Sequence, residues 1–208
     1  EIVDEIEVSW GPRMINAVPG GKAIVEHNLL PYGEDTYACD VIDMNTNILV
    51  DTLYLDGLAT EGLCSPGGKY FIGILDARGI YGGDTLVEFD PLTSSLVGDF
   101  VTLRSDAHLG LCAFVSNSKI YVALDSSAWD DPNRYTTIGV LEFPSGQFIS
   151  DLKVTWAPND IVVVGEKAYM THSRDSKPLE LRTLTIIDTT TDKVIKTLTV
   201  CPGPQDMA

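Results

Sequence analysis

No run of apolar residues in this sequence approaches the ~20 needed to cross a bilayer as a helix; the longest, such as Ile161 to Val164, are strand-sized. Basic residues are scarce, 14 against 30 acidic ones, leaving a net charge of −16 that disfavours nucleic acid and anionic membrane surfaces as partners. The four cysteines, Cys39, Cys64, Cys112 and Cys201, form no C-x-x-C pair and have no zinc spacing. A chain with 44% hydrophobic residues has core enough without staples, so buried free thiols are expected. Absent too are a nucleophile elbow, an H-E-x-x-H helix and any N-x-S/T sequon. No stretch of 11 or more residues has helical periodicity. Residue 1 already falls inside a strand pattern, so a processed or trimmed N-terminus is expected.

What the sequence does have is a period. Lys22, Lys69, Lys119 and Lys167 recur at spacings of 47, 50 and 48. Each follows a turn such as Pro19-Gly20-Gly21 or Pro66-Gly67-Gly68 and leads into an apolar strand. A second marker keeps the same phase: a strand running into a turn at Asp43, Asp90-Pro91, Pro144-Ser145-Gly146 and Asp188. Alternating strands follow at Ile48–Leu55, Leu96–Leu103, Phe148–Val154 and Val194–Val200. Each unit therefore reads as four short antiparallel strands, a to d, joined by hairpins. Units of 40 to 50 residues of this kind are the blades of an all-β propeller, in which stacking side by side hides the sheet faces.

The fourth unit carries a family resemblance. Lys167-Ala168-Tyr169-Met170-Thr171-His172, then Leu184 to Val200 with Ile187-Asp188-Thr189-Thr190-Thr191-Asp192-Lys193-Val194, then Gly203-Pro204, resembles the YVTN-type propeller repeat. The match is moderate in the first unit, and the second and third are more diverged. The resemblance implies the fold far more than the function, since such propellers include surface-layer and secreted proteins, lactonase- and lyase-type enzymes and redox proteins. The predicted organisation is a single propeller segment over 1–208, with blades at about 9–55, 56–103, 104–154 and 155–200. Residues 1–8 and 201–208 are read as parts of flanking incomplete blades. Such ends predict a fragment of a larger ring of about seven blades.

The b–c connections, Asn28–Thr36, Ala77–Thr85, Ser126–Thr137 and Ser173–Arg182, are the longest, so the d–a/b–c face is the expected binding face. His27 and His172 share one repeat position and His108 lies in a d–a loop; these are the candidate catalytic or metal-binding imidazoles, with strand-end hydrogen bonding as the simpler role. Arg13, Glu61, His108, Asn159, Asp160, Gln205 and Asp206 are candidate ligand contacts near the channel mouth, and Trp129 is a further contact aromatic. Asp125, Asp130 and Asp131 are candidate ligands for Ca2+ or another divalent cation, without the spacing of an EF-hand loop. No motif implies a cofactor.

The reading favours a secreted, periplasmic or surface-exposed binding or scaffold module over an enzyme. Its expected partners are a protein, glycan or small ligand, with self-assembly also compatible and nucleic acid and membrane insertion excluded. The alternatives are a lactonase- or lyase-type enzyme and a redox propeller whose cofactor domain lies outside this chain.

Overall fold

The computed structural model describes residues 5–9, 11–27, 37–75, 84–103, 107–124, 137–154, 158–172 and 183–200. All the regular structure among them is β-strand. The first sheet comprises β1 (Pro12–Val18), β2 (Lys22–His27), β3 (Tyr37–Asp43) and β4 (Ile48–Leu55). The second comprises β5 (Leu58–Cys64), β6 (Tyr70–Leu75), β7 (Thr85–Asp90) and β8 (Ser95–Thr102). The third comprises β9 (Ala107–Ser116), β10 (Lys119–Leu124), β11 (Thr137–Glu142) and β12 (Phe148–Lys153). The fourth comprises β13 (Pro158–Val164), β14 (Lys167–His172), β15 (Thr183–Asp188) and β16 (Lys193–Thr199). Each is an antiparallel meander in chain order, as the repeat predicts. Two compact units result, 1–103 and 104–208, each holding two sheets.

The repeat markers have local physical causes. Asp43 ends β3, and its carboxylate accepts the Asn45 and Thr46 N–H groups at 2.9 and 3.2 Å. Asp188 does the same for Thr190 and Thr191, both at 2.9 Å. Four positions after each strand-ending acid (Asp43, Asp90, Glu142, Asp188) the chain takes a left-handed residue: Asn47, Ser94, Gly146 and Asp192. That conformation closes the c–d turn. The turn lysines serve the same corner. Lys22 pairs with Asp43 and Lys69 with Glu88, both at 2.8 Å. Lys119 instead reaches the neighbouring sheet, donating to the Thr189 carbonyl at 2.6 Å and pairing with Asp192 at 2.7 Å. Tyr121 adds a hydroxyl bond to the same Asp192 carboxylate.

Within the first unit, Val18, Ile24, Cys39, Val41, Leu53 and Leu55 of the first sheet pack against Tyr70, Ile72, Ile74, Val87 and Phe89 of the second. Within the second unit, Val115, Tyr121, Ile138, Val140 and Leu152 pack against Ala168, Met170 and Ile187. Strand alternation sends these side chains to one face, and burying each large one stabilises the pair by about 1.5–3 kcal/mol. Close packing between β5 and β6 depends on Gly62, because a methyl group there would fall on the Tyr70 ring.

Two expectations need adjustment. Residues 5–9 do not form a strand; Ile6 and Val8 instead pack against Ala23, Val25 and Ile42 on the outer face of the first sheet. Cys39 and Cys112 are buried and outside any disulfide, but Cys64, at the end of β5, is exposed. Cys201 lies outside the described residues.

Candidate functional site

A connected polar network lies on the first sheet. Asp40 sits in the middle of β3 among Ala38, Cys39, Val41 and Ile42, all buried. Thr52 donates its hydroxyl to Asp40 at 2.6 Å, and Ser9 donates both its N–H, at 2.5 Å, and its hydroxyl, at 2.9 Å. His27 Nε2 stands 3.2 Å from Oδ2, the oxygen that also accepts the Ser9 N–H, with both side chains fully buried. Burial pushes the Asp40 carboxyl up, but the bonds from Thr52 and Ser9 and the neighbouring His27 outweigh it and hold it below its ordinary value. On the same strand, burial and the charges of Glu26 and Asp40 push the Cys39 thiol up, so it is inert rather than nucleophilic.

This Ser–Asp–His set is not a nucleophile and its base. The Ser9 hydroxyl donates to the carboxylate rather than to the imidazole, and the imidazole has no open face for a substrate. The cluster is a fastener holding segment 5–9 to the sheet. His172, at the equivalent repeat position, is also fully buried, and its Nε2 lies 2.9 Å from Thr185 Oγ1. Thr185 and Asp40 each stand three residues before the strand-ending Asp, so both imidazoles meet the same place on strand c. Strand-end hydrogen bonding, the simpler of the two roles considered for these histidines, describes His172 directly.

Two open depressions lie within the units. One, of about 420 Å3, is lined by Ile6 and Val8, by Pro12 to Ile15 of β1, and by Val25 and Ile42. The other, of about 520 Å3, is a groove between the third and fourth sheets, bordered by Ser116, Lys119, Glu142, Glu166 and Thr190 and by the aliphatic Val115 and Ile149.

The sequence-predicted site residues are dispersed. Arg13 lies in β1, is exposed and lines the first cleft. Glu61 lies in β5, His108 in β9 and Asn159 in β13, with their side chains outside the described set. The Asp160 carboxylate accepts its neighbour's N–H, from Ile161, at 2.7 Å. His27 is in the first unit and His172 in the second. Asp125, Trp129, Asp130, Asp131, Gln205 and Asp206 lie outside the described residues, as do most of the b–c connections. Among the described residues no group of three or more His, Cys, Asp or Glu is placed to hold a metal ion. No helix is long and apolar enough to cross a membrane. The Ser9–Asp40–Thr52 network was missed; its signal is a lone carboxylate in the apolar run of β3.

No protein-family model matches the chain, and no curated protein matches it. Solved structures do. The chain is similar to Kuenenia stuttgartiensis hydrazine synthase at 11% identity and a TM-score of 0.63, covering 97% of this chain and 53% of that one. It is similar to the Neurospora crassa Pan2 WD40 domain at 9% identity and a TM-score of 0.57, covering 92% and 52%. It is similar to the Myceliophteria thermophila Cps50 (Swd1) β-propeller domain at 12% identity and a TM-score of 0.62, covering 97% and 59%. Together with the four meander sheets, these define a chain of β-propeller fold that spans between 52% and 59% of the length of these three structures.

Proposed function

We propose that this chain is a protein-binding scaffold segment of a larger propeller of YVTN-type repeats, secreted or exposed at a cell surface. One observation carries the reading. Seven residues after the strand-ending acids Asp43, Glu142 and Asp188, the outermost strands β4, β12 and β16 each bulge outward by one residue. The bulged residues are Val50, Ile149 and Ile195, exposed by 44%, 53% and 53%, beside Ile48, Phe148 and Val194, which are also exposed. Scattered apolar side chains on a surface need no explanation, but the same placement in three sheets repeats one apolar contact at three sheet edges. Two of the similar structures are named as a WD40 domain and a β-propeller domain, folds whose rigid frames present loops and edges to partners.

The larger ring rests on the fourth sheet. Val162, Tyr169 and Ile186 share a register row on the face opposite the one packed on the third sheet. All three are half-buried, and Val164, nearby on the same face, is 63% exposed. A sheet apolar on both faces is the kind that stacks on both, so this face would receive a further blade.

The test uses the full-length source protein. Replacing Val50, Ile149 and Ile195 together by Lys should leave its circular dichroism and thermal midpoint within a few degrees of the parent, since all three sites are exposed. The same change should abolish cross-linking to its partner in the source cells. Undiminished cross-linking by the triple variant refutes the reading.

A further inference from the structure

We propose that the groove between the third and fourth sheets seats an extended segment of a partner protein in which a lysine or arginine lies next to an apolar residue. Both walls belong to the second unit and come from sheets that already pack on one another. The groove lies at the end of these sheets where the short a–b and c–d turns gather, and the longer connections leave from the other end of the strands. It is preformed. Phe143 donates its N–H to the Ser118 carbonyl at 2.9 Å, and Thr189 donates to the Glu166 carbonyl at 3.0 Å, so the two turns of each sheet are tied together. Lys119 then ties one sheet to the other through the Thr189 carbonyl and Asp192. A groove held in this way asks little ordering when a segment enters it.

The walls name the occupant. Val115 and Ile149 supply apolar surface, and Ile149 is 53% exposed. Glu142 on the third sheet and Glu166 on the fourth set an exposed carboxylate on each wall. Lys119 is the cation among the lining residues, and Asp192 already neutralises it at 2.7 Å. Lys167 and Lys193 stand opposite Asp188 in the ladder and do not line the groove. Negative charge thus lies beside apolar surface, and a segment both basic and apolar complements the two. A second copy of this chain is the poorer occupant, because each copy carries a net charge of −16.

The inference rests on the protein-binding reading and narrows it to one place, and the two fail separately. A blocked hexapeptide alternating lysine and leucine is titrated into the full-length source protein, with isoleucine and valine methyl resonances as readout. The methyls of Val115 and Ile149 should shift saturably, while those of Val50 and Ile195 stay in place. Replacing the lysines of the peptide by glutamate should abolish the shifts, and replacing its leucines by serine should weaken binding about tenfold. Glu142→Gln with Glu166→Gln, both at exposed positions, should weaken the lysine–leucine peptide about fivefold and leave the thermal midpoint unchanged. Absence of shifts at Val115, or binding indifferent to the double variant, overturns the proposal. Equal shifts at Val50, Ile149 and Ile195 overturn the groove and leave the protein-binding reading standing. Concentration-dependent shifts of Ile149 without peptide would place a second copy in the groove and also overturn the proposal.

Discussion

Removing the Asp40 carboxylate by Asp40→Ala should destabilise the first unit by about 4 kcal/mol. The figure follows from what the carboxylate holds. It accepts from Thr52 and twice from Ser9, and it is the fully buried partner of fully buried His27. Each of the three donors left without an acceptor, the Thr52 hydroxyl and the Ser9 N–H and hydroxyl, costs about 1–3 kcal/mol where it cannot reach water, and hydrogen bonds to a charged acceptor lie at the upper end. These costs overlap because the groups form one network, so they do not sum. For a chain of this length the loss corresponds to a midpoint lower by roughly 10 °C. The assay that localises it is amide exchange by mass spectrometry in mild urea. Protection should fall in β1 to β4 and segment 5–9, while β13 to β16 keep theirs. Loss of less than about 1 kcal/mol, or an equal loss in both units, would refute the assignment of Asp40 as the fastener. The pH dependence has a definite sign. The folded carboxyl lies below its ordinary value of 3.8. Its contribution is therefore complete above that pH and lost as the pH falls through the lower folded value. The stability gap between parent and Asp40→Asn should be constant from neutral pH down to about 4 and close below it.

Two further substitutions test the packing and the turns. Gly62→Ala should drive Tyr70 from its place against Phe89, costing about 1–3 kcal/mol by urea titration; a neutral result would mean that the β5–β6 spacing yields. Ser94→Gly, at a left-handed position with φ of 54° and a half-exposed side chain, should raise the midpoint by about 1–3 °C, relief of strain exceeding the added freedom of the unfolded chain; a lower midpoint would refute the strain.

The fold was legible because its causes are local. The turn lysine and the strand-ending acid are spaced by the length of a hairpin, and the structure joins them across that hairpin in Lys22–Asp43, while Lys69 reaches Glu88, two residues before the strand-ending Asp90. Lys119 shows where locality ends: its partner, Asp192, lies 73 residues away in another sheet, and no period in the sequence could have named it. The candidate site was less legible for the same reason. His27 and His172 were found by their shared repeat position, but their burial is set by what strand c places beside them. Arg13 was read as part of a polar channel mouth, whereas the apolar company it keeps comes from residues 5–9, whose pattern reads as a strand. Alternation alone cannot tell a paired strand from an extended segment lying across a sheet, because both send every second side chain inward.

The bulges at Val50, Ile149 and Ile195 bear on how a partner would be met. An outermost strand shows a row of unpaired backbone groups, an invitation to pair with any passing strand. An extra residue interrupts that row and twists the strand, so edge-to-edge pairing is discouraged at the bulge itself. In the first, third and fourth sheets the residue inserted is aliphatic and exposed. The backbone route to association is thus blunted at the point where an apolar side chain is offered. A contact made there would be selected by the shape of side chains and not by generic strand pairing. That predicts loss of binding when Ile149 becomes Lys and retention when it becomes Leu, whereas a partner recruited by backbone pairing would tolerate both.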